Sequence, residues 1–384
     1  MNCKKAYKIA VVGLRGIPHV MGGIETHCEN LYPFLVRKEI ELTIFTRKSY
    51  INPLIKEYKG IKLHVLPCIK NKYFESYFHT FAGVLTAWLK KVDLLHIHAI
   101  GPGLFVPLAR LLGMKVVFTH HGPDYNRLKW NKFAKLILMA GEFFACTSAH
   151  AVITVAKYID ESIQSRFKRQ TYNLPNGVIV KPGNHDRNIL KKFGLMKNKY
   201  IFALGRFVPE KGFHDLIRAY RRFLSLNKNN KGIKLVIAGR ADHNDNYSKT
   251  LLDSADENIV FTGFISDLTL RTIFSQAGLF VIPSYHEGLP LALLEALSYG
   301  LSSIASDIPP HHEIGLDKER YFKPGDIDAL SAKMSQFCFK KLPAHQKKKE
   351  IFLIKKNYNW EKIAEKTYLI YLNLLKGSAA RTGI

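Results

Sequence analysis

The chain has 384 residues, 47% of them hydrophobic, and its 57 lysines and arginines against 31 acidic residues give a formal net charge of +26. A chain of this length is too long for one hydrophobic core, which predicts two domains. No apolar run approaches the roughly 18 residues that a membrane span needs. The five cysteines are scattered without metal-ligand or Cys-x-x-Cys spacing, which indicates a reducing compartment and gives no sign of a catalytic cysteine.

The positive charge belongs to both halves of the chain and is not confined to a tail. Such a charge attracts nucleic acid, an anionic membrane or phosphorylated ligands. The sequence has no zinc-ligand spacing, no RNP-like aromatic strand and no basic region followed by heptads, so nucleic acid is not expected as a partner. General solubility and peripheral attachment to an anionic membrane surface stay open.

Apolar runs alternate with helical patterns through the N-terminal half. Strands are predicted at residues 8–14, 41–46, 61–66, 94–98, 115–119 and 151–155, and helices at 25–36, 73–89 and 104–112. Pro33 is expected to kink the first of these helices. Strands that alternate with helices in this way predict a parallel sheet with right-handed crossovers.

The helix at 73–89 combines a broad apolar face with lysines at both ends. Its apolar residues are Tyr73, Phe74, Tyr77, Phe78, Phe81, Val84, Leu85, Trp88 and Leu89, and the lysines are Lys70, Lys72, Lys90 and Lys91. It is either a domain helix whose apolar face is buried or an amphipathic helix that lies on a membrane surface.

Two loops of the N-terminal half carry candidate functional residues. The first follows strand 8–14 and is not a dinucleotide fingerprint, because its glycines do not form G-x-G-x-x-G in one tight turn. Its Gly22 and Gly23 stand just before a helix, where the backbone can approach an anion closely. In the second loop, His121 follows a parallel strand, at the end where α/β sheets bind ligands. His120 should point the other way, because side chains alternate along a strand.

The C-terminal half repeats the alternation. Strands are predicted at 200–204, 234–238, 259–261, 279–282 and 303–305, and helices at 213–226, 268–276 and 290–299. Residues 181–198, with Pro182, Gly183 and many lysines, are predicted to be an interdomain linker. A last helix begins near Trp360, and the tail 377–384 is expected to be disordered.

Two motifs of the C-terminal half carry charged residues directly after predicted strands. Arg206-Phe-Val-Pro-Glu-Lys211-Gly follows strand 200–204, and Glu287-Gly-Leu-Pro-Leu-Ala-Leu-Leu-Glu295 follows strand 279–282. Glu287 is placed in a loop and Glu295 in the second turn of a helix, roughly 12 Å apart at helical rise. That is about the distance from the sugar ring of a nucleotide sugar to its ribose. The helix N-terminus between the two carboxylates suits a diphosphate.

These motifs resemble the Gly-Arg-x-x-x-Glu-Lys-Gly and Glu-x7-Glu signatures of the retaining glycosyltransferases of family 4. The loop from Arg15 to Glu25 resembles the Arg-Gly-Ile-Pro…Gly-Gly-x-Glu loop of the branch that serves bacterial surface polysaccharides. The resemblance implies an α/β protein of the GT-B fold, with two facing Rossmann-like domains, parallel sheets and a C-terminal helix that crosses back to the N-terminal domain. The expected segments are an acceptor-side domain 1–180, the linker 181–198, a nucleotide-sugar domain 199–356, a crossover helix 357–376 and the tail 377–384.

The resemblance also implies roles for individual residues. His121 and Glu287 are expected to be catalytic, and Arg15 and Glu25 to lie on the acceptor side. The expected donor-binding residues are Gly22, Gly23, Arg206, Lys211, Gly263, Phe264, Gly288, Leu289 and Glu295. Arg206 offers a planar fork for phosphate oxygens and Lys211 a point charge, so together they can take the place of a divalent metal.

The function that follows is retaining transfer of a hexose from a nucleoside diphosphate sugar, with a UDP-sugar as the expected donor. The expected acceptor is a lipid-linked glycan of capsule or lipopolysaccharide synthesis, which places the enzyme in the cytoplasm at the inner face of the cytoplasmic membrane. Asp326-Ile-Asp328 matches the Asp-x-Asp pattern of metal-dependent glycosyltransferases. It opens a predicted helix, however, where aspartates cap the N-terminus, so no metal cofactor is expected.

Two other interpretations stay open. A GT-B epimerase or phosphorylase would need no lipid acceptor. A catalytically inactive, membrane-associated scaffold of the same fold would use its charge for adhesion alone.

Overall fold

A computed structural model describes residues 6–37, 39–69, 74–127, 130–226, 230–242, 245–338, 340 and 342–377. Its strands are β1 (Tyr7–Val12), β2 (Ile40–Arg47), β3 (Glu57–Tyr58), β4 (Ile61–Leu66), β5 (Leu94–His98), β6 (Lys115–His120), β7 (Ala151–Thr154), β8 (Tyr172–Asn173), β9 (Tyr200–Leu204), β10 (Lys234–Ala238), β11 (Ile259–Gly263), β12 (Leu279–Ile282), β13 (Ser303–Ser306) and β14 (Tyr321–Phe322). Its α-helices are α1 (Gly23–Leu31), α2 (Glu75–Leu89), α3 (Ile100–Gly103), α4 (Val106–Leu111), α5 (Lys132–Ser148), α6 (Lys157–Phe167), α7 (Arg187–Lys192), α8 (Phe213–Leu226), α9 (Asn246–Leu252), α10 (Asp267–Gln276), α11 (Leu291–Ser298), α12 (Pro309–His312), α13 (Ile327–Phe337), α14 (Ala344–Asn357) and α15 (Trp360–Lys376).

The chain divides into two compact units. The first unit holds the described residues up to Gly177 together with those from Trp360 onward, and the second unit holds 178–359. The C-terminal helix therefore belongs to the N-terminal unit, as the predicted crossover requires. The predicted tail lies outside the described residues from 378 onward.

The prediction of a linker at 181–198 is wrong, because this segment is part of the second unit. It contains helix α7, whose N-terminus is capped by the Asp186 side chain and whose Leu190 is buried. Before α7, the Asn184 amide donates to Thr272 Oγ1 at 2.6 Å. Proline, glycine and lysine in this stretch belong to a packed surface segment rather than to a free connection.

The first unit is built on an eight-stranded sheet in the order β3-β4-β2-β1-β5-β6-β7-β8. All neighbouring strands run parallel except β3 and β4. The strand order changes direction between β1 and β5, and the carboxyl ends of two such strands open the crevice where α/β sheets bind ligands. Helix α15 packs beside α1, and its Trp360 and Tyr371 are buried.

The second unit has a fully parallel six-stranded sheet in the order β11-β10-β9-β12-β13-β14. This is the dinucleotide-binding order, with its reversal between β9 and β12. The core on one side of the sheet includes Phe213, Tyr220 and Phe223 of α8. These residues recur at the spacing that places them on one helix face, which explains why the predicted and observed limits of α8 agree.

Some helices differ from the prediction for local reasons. The helix predicted at 25–36 ends at Leu31 and continues as a 3-10 helix, Tyr32–Leu35, because Pro33 cannot donate the next helical hydrogen bond. The helix predicted at 104–112 is observed as α4, Val106–Leu111, and the short helix α3, Ile100–Gly103, precedes it. The helices that were not predicted are α3, α5, α6, α7, α9, α12 and α14.

Helix α2 buries one face and exposes the other. Val84 and Ala87 are fully buried, whereas Phe74, Trp88 and Leu89 are 64%, 48% and 72% exposed. Of the eight apolar residues of this face that the structure describes, five are exposed and only Val84 is buried, so the interpretation of α2 as a domain helix with a buried apolar face is wrong for most of that face. Lys70, Lys72 and Tyr73 lie outside the described residues.

None of the helices that the structure describes combines the length and the apolar character needed to cross a bilayer.

Candidate active site

In the first unit, the buried side chains of Tyr371, His96, Tyr32 and His98 form a hydrogen-bonded chain that ends on His121. His98 Nδ1 lies 2.8 Å from His121 Nε2, and His98 Nε2 lies 2.6 Å from the Tyr32 hydroxyl. That hydroxyl is also 3.0 Å from His96 Nδ1. His96 and His98 stack with their ring centroids 4.3 Å apart, because they are two residues apart in β5 and therefore share one face of the sheet.

The far end of this chain is held by α15 and β6. The Tyr371 hydroxyl lies 2.6 Å from His96 Nδ1, and His96 Nε2 lies 2.7 Å from Thr119 Oγ1. A tyrosine hydroxyl that donates to His96 Nδ1 leaves Nε2–H to donate to the threonine. The C-terminal helix thus contributes directly to the polar interior of the N-terminal unit.

His27 completes the cluster from helix α1. Its ring meets the His121 ring edge-on at 4.9 Å, and its Nδ1 lies 2.8 Å from Asn176 Oδ1. An amide oxygen can only accept, so His27 Nδ1 carries the proton and Nε2 has a free lone pair. His27 Nε2 is buried without a hydrogen-bond partner among the described residues.

Burial keeps these histidines neutral. It lowers the pKa of His27 to about 4, against the opposing effect of its hydrogen bond to Asn176, and the pKa of His96 to about 3. It also holds the pKa values of His98 and His121 well below their ordinary value, an effect that the neighbouring histidines reinforce. The His121 ring is therefore neutral and can donate or accept a hydrogen bond.

The ligand nitrogens of His27, His98 and His121 all lie within 4.8 Å of one another, as metal ligands would. The 2.8 Å between His98 Nδ1 and His121 Nε2 is nevertheless a hydrogen-bond distance. It is shorter than the separation of about 3.3 Å between two nitrogens bound to one tetrahedral ion. The arrangement as it stands is that of a hydrogen-bonded pair.

His120 points away from this cluster, as strand alternation predicts. Its Nε2 lies 2.9 Å from Glu142 Oε1, and Arg166 Nη2 lies 2.7 Å from Glu142 Oε2. The neighbouring histidine thus belongs to a separate buried ion-pair network.

Arg15 and Glu25, predicted on the acceptor side, form a buried pair with each other. Arg15 Nε and Nη2 each lie 3.0 Å from one of the two Glu25 carboxylate oxygens. Burial would raise the pKa of Glu25, but the Arg15 guanidinium holds it below its ordinary value. In this structure the pair shapes the first loop, and its role toward an acceptor stays a prediction.

Gly22 and Gly23 differ in their surroundings. A side chain at Gly22, which has φ 153°, would meet Glu25 Oε2 at 2.0 Å and Arg15 Nη2 at 2.3 Å. Gly23 begins helix α1, and nothing lies within 4 Å of the place that a Cβ atom would take there. Residue 22 must therefore lack a side chain for the Arg15–Glu25 ion pair to form. Gly23 leaves open space beside a helix N-terminus, where an anion can approach.

The predicted diphosphate lysine and sugar-binding glutamate meet in the second unit. Lys211 Nζ lies 2.5 Å from Glu287 Oε1, which also accepts a hydrogen bond from Ser284 Oγ at 2.7 Å. Burial would raise the pKa of Glu287, but Lys211 and His311 hold it below its ordinary value. Lys211 follows β9 and Glu287 follows β12, so the pair lies at the point where the strand order reverses.

Gly212 makes this pair possible. It has φ +66°, and a side chain there would come within 2.2 Å of the Pro283 carbonyl oxygen. The turn that carries Lys211 can therefore dock against the end of β12 only because residue 212 has no side chain.

Arg206 forms an ion pair with Asp242, its Nη1 2.9 Å from Oδ2, and both side chains are about one-fifth exposed. Glu210 of the same motif is buried and does not pair with it in any contact that the structure records. Arg206 keeps part of its guanidinium accessible at the carboxyl end of β9.

Glu295 lies in the second turn of α11, as predicted, although the helix begins at Leu291 and Pro290 is its N-cap. Burial raises the pKa of Glu295 to about 7, against a smaller opposing effect of Lys181. A carboxyl group of this kind is only partly ionised at neutral pH. It gains most from hydroxyl groups that donate hydrogen bonds to its ionised form.

The other predicted donor residues of the second unit lie at or just after the carboxyl ends of β11 and β12. Gly263 ends β11 with φ +69° and has nothing within 4 Å of a Cβ position, and Phe264 beside it is 37% exposed. The guanidinium of Arg240 lies 5.3 Å from the Phe264 ring centroid. Gly288 and Leu289 lie between Glu287 and α11, and Leu289 is buried.

The interpretation of Asp326 as a helix cap is confirmed. Its carboxylate accepts a hydrogen bond from the Ala329 backbone N–H at 2.8 Å, and Asp328 pairs with Arg222 at 2.9 Å. The Asp-x-Asp match therefore reflects helix capping.

Sequence reasoning missed His27, His98, Tyr32 and His311. The signal for His98 was available, since two histidines alternate at the carboxyl end of the buried strand β5. No comparable pattern marks the others. His311 lies in α12, where burial lowers its pKa to about 4 despite the nearby Glu287 carboxylate. Only the packing of α12 in the folded chain brings His311 close to Glu287.

Comparisons with known proteins agree with these features. Residues 21–181 match the family model described as Glycosyltransferase Family 4, and residues 185–352 match that of Glycosyl transferases group 1. An uncharacterized glycosyltransferase of Methanocaldococcus jannaschii is 26% identical over 95% of this chain and 97% of its own length. The UDP-Gal:alpha-D-GlcNAc-diphosphoundecaprenol alpha-1,3-galactosyltransferase of Escherichia coli is 28% identical over 57% of this chain and 59% of its own.

Among solved structures, HepE of Anabaena in complex with UDP-glucose is similar with a TM-score of 0.75 and 16% identity, over 95% of this chain and 99% of that chain. At this identity the likeness concerns the fold.

Proposed function

Because the chain belongs to the family 4 glycosyltransferases and has their GT-B fold, we propose that it is a retaining enzyme that transfers a hexose from a UDP-sugar to a lipid-linked glycan. The observation that carries this proposal is the pairing of Lys211 with Glu287 at the strand-order reversal of the second unit. A parallel sheet binds nucleotides at that place. A cation and a carboxylate together suit a diphosphate beside a sugar.

Each donor residue has a role that its chemistry supports. Arg206 and Lys211 neutralise the leaving diphosphate, and the N-terminus of α11 adds its dipole. Glu287 accepts hydrogen bonds from hydroxyls of the transferred sugar, and Glu295 accepts them from the ribose. With two cations in place, the diphosphate needs no divalent metal.

The proposed reaction is a front-face displacement. The acceptor hydroxyl attacks the anomeric carbon from the side that the diphosphate leaves, and the diphosphate takes the hydroxyl proton. Neutral His121 donates a hydrogen bond to the transferred sugar. This path needs no enzyme nucleophile, which agrees with Glu287 being an ion-paired carboxylate.

The lipid-linked acceptor is supported by the Escherichia coli relative, whose name states a diphosphoundecaprenol acceptor. Transfer to such a lipid would take place at the inner face of the cytoplasmic membrane, within the synthesis of a surface polysaccharide. The first loop supports the same branch, since it carries the Arg-Gly-Ile-Pro…Gly-Gly-x-Glu pattern.

A thermal-shift screen with UDP, GDP, ADP and their sugars, run in chelator, tests the donor site. We expect stabilisation by the uridine series that is lost in Lys211→Ala. Stabilisation by another base would change the donor, and no shift with any nucleotide would contradict the proposed site.

The reaction products separate this function from its competitors. An epimerase would yield an isomerised donor when it is incubated with the nucleotide sugar alone. A phosphorylase would yield a sugar phosphate and a shortened glycan when it is incubated with a glycan and inorganic phosphate. We expect neither product, and we expect sugar transfer only when a polyprenyl diphosphate sugar is added. An inactive scaffold would give no product under any of these conditions.

A further inference from the structure

Helix α5 of the first unit presents a row of large apolar side chains to solvent. Phe133, Leu136 and Phe143 are 71%, 63% and 50% exposed, and Met139 and Phe144 are exposed as well. They recur three and four residues apart, so they share one face of the helix. The opposite face of α5 is buried against the unit, with Gly141 and Ala145 in contact with α3.

Helix α2 presents a second such row, formed by Phe74, Phe78, Phe81, Trp88 and Leu89. An apolar surface groove of about 330 Å³ is lined by Phe74, Phe78 and Phe81 of this row together with Ile69, Tyr77 and Phe105. Five of these six groove residues are aromatic, and Trp88 lies further along the same helix.

Helix α3 joins the two rows. A side chain at Gly101 would lie 3.4 Å from Leu138 of α5 and 3.7 Å from the Tyr77 hydroxyl of α2, and Gly103 lies against the Gly141 carbonyl. Small residues in α3 therefore let α2 and α5 pack on either side of it. A monomeric soluble domain rarely exposes so many large apolar residues on adjacent helices without a binding partner.

Within the helices that carry these rows, the accessible charges are of one sign, although Asp124, which is paired with Arg127, lies near Tyr77. All residues of α2, α4 and α5 are described, and within these helices the exposed or half-exposed charges are Arg110, Lys132 and Lys135. Their two acidic residues, Glu75 and Glu142, are buried and paired with Arg47 and Arg166. Lys90 and Lys91 follow α2 directly and are exposed.

We propose that α2 and α5 form a docking face that inserts its apolar rows into the interfacial region of an anionic bilayer. Exposed aromatic and aliphatic side chains flanked by lysines are what an anionic lipid surface binds. A second copy of this chain fits less well, because a twofold contact would set the same basic residues against one another. The proposal rests on the proposed function only in that a lipid-linked acceptor requires a membrane, and its test needs neither donor nor acceptor.

Cosedimentation of the full chain with vesicles tests the face directly. We expect binding to phosphatidylcholine vesicles that contain about one third phosphatidylglycerol, and at least about tenfold weaker binding to phosphatidylcholine alone. Raising the salt concentration from about 0.05 M to 0.5 M should weaken the electrostatic part of the binding. Absence of binding to anionic vesicles at low salt would overturn the proposal.

Paired substitutions locate the binding surface. Phe133→Ser with Leu136→Ser, and Phe74→Ser with Phe78→Ser, should each weaken vesicle binding by about tenfold or more, because each removes two inserted apolar side chains. The matched control is Phe352→Ser with Leu353→Ser on α14 of the second unit, which also exposes a phenylalanine and a leucine beside lysines. Equal losses from the control pair, or a loss from the control pair alone, would contradict the assignment.

Tryptophan fluorescence adds a readout at the face itself. Trp88 is 48% exposed and Trp360 is 3% exposed. The third tryptophan, Trp130, is half-buried and directly precedes Asn131, the N-cap of α5. We therefore expect a blue shift on vesicle binding that Trp88→Phe reduces and that Trp88→Phe together with Trp130→Phe removes. A shift that persists in the double variant would place the contact elsewhere.

Two further measurements separate this proposal from its competitors. Glu287→Ala should abolish sugar transfer while leaving vesicle binding unchanged, so the failure of one proposal does not imply the failure of the other. Light scattering in the absence of lipid should show a monomer. An oligomer that the α5 pair of substitutions dissociates, with no vesicle binding, would assign the face to self-association instead.

Discussion

His98 Nδ1 lies 2.8 Å from His121 Nε2, so the histidine predicted to face the transferred sugar is oriented by a second buried histidine. The other nitrogen of His98 is held by the Tyr32 hydroxyl. Which nitrogen of His121 carries a proton is therefore coupled to a chain of groups that ends at α15. A residue that orients a reacting group through such a bond is a positioning residue.

Replacing His98 by alanine should lower the rate of sugar transfer by about tenfold, because His121 loses the partner that fixes its tautomer. Nucleotide binding, measured by thermal shift, should not change. The variant should also gain a pH dependence. Water in the vacated space would bring the pKa of His121 back toward its ordinary value, so the rate should fall between pH 8 and pH 6.

His98→Gln is the matched variant, since its amide can still bond His121. We expect it to recover a large part of the rate. Equal loss in both variants, with no new pH dependence, would indicate a packing role for His98 instead of a positioning role.

Removing either partner of the Lys211–Glu287 pair should reduce transfer by about 100-fold or more, because both groups contact the donor in the proposed complex. Lys211→Met should also cost about 1 to 3 kcal/mol of stability, since it leaves a buried carboxylate without its cation. The double variant Lys211→Met, Glu287→Gln should be destabilised by less than the sum of the two. Turnover near that of the parent protein in either single variant would refute the site.

The exposed pair Lys62–Glu41, with its atoms 2.9 Å apart and its side chains 60% and 40% exposed, is the control for this cycle. Lys62→Met should change the free energy of unfolding by less than about 0.5 kcal/mol. Chemical denaturation at one salt concentration measures the free energy of unfolding of the Lys211 and Glu287 variants and of the Lys62 control.

Glu295→Gln should change stability in a pH-dependent way. The folded-state pKa of Glu295 is raised from 4.5 to about 7, so the folded chain binds more protons than the unfolded chain in that window, and stability falls as pH rises through it. Glutamine removes this penalty. The melting temperature of the variant should match that of the parent near pH 5 and exceed it by about 2 °C or more near pH 8.

The same substitution should weaken nucleotide binding, because an amide accepts ribose hydroxyls less strongly than a carboxylate. Parent-protein affinity should weaken as the pH falls below about 7, as Glu295 becomes protonated. The control is Glu361→Gln, at an exposed position of α15. A melting-temperature difference for Glu295→Gln that does not vary with pH would contradict the buried carboxyl.

Gly212→Ala should cost about 2 to 4 kcal/mol and should displace Lys211, because the new methyl group meets the Pro283 carbonyl in addition to the strain of positive φ. Gly232 has φ +86° with open space around it, so Gly232→Ala carries the strain alone and should cost about 1 kcal/mol. Equal costs measured by denaturation would show that no close approach exists at Gly212.

Transfer should persist in excess chelator, because Arg206 and Lys211 supply the charge that a metal would supply. The measurement is turnover before and after dialysis against chelator, with Mn²⁺ added back. Complete loss that Mn²⁺ restores would overturn the metal-free donor site and direct attention to the three-histidine cluster.

The alternation of strands and helices could be predicted from the sequence because its signals are local. Strand 200–204 and helix 213–226 have the same limits in the prediction and in the structure, since apolar periodicity and glycine or proline punctuation act over a few residues. Errors occurred where local signals misled. The segment 181–198 has the composition of a linker and yet packs on the second unit.

By itself, the sequence determined the family, the two-domain α/β fold and the candidate site residues, because these depend on short motifs and on patterns along the chain. Only the tertiary structure decided which of these residues meet. Lys211 and Glu287 are 76 positions apart and touch because β9 and β12 are neighbours in the sheet. His27, His98 and His121 converge from α1, β5 and the loop after β6. Such contacts depend on strand order and close packing, which no local stretch of sequence encodes.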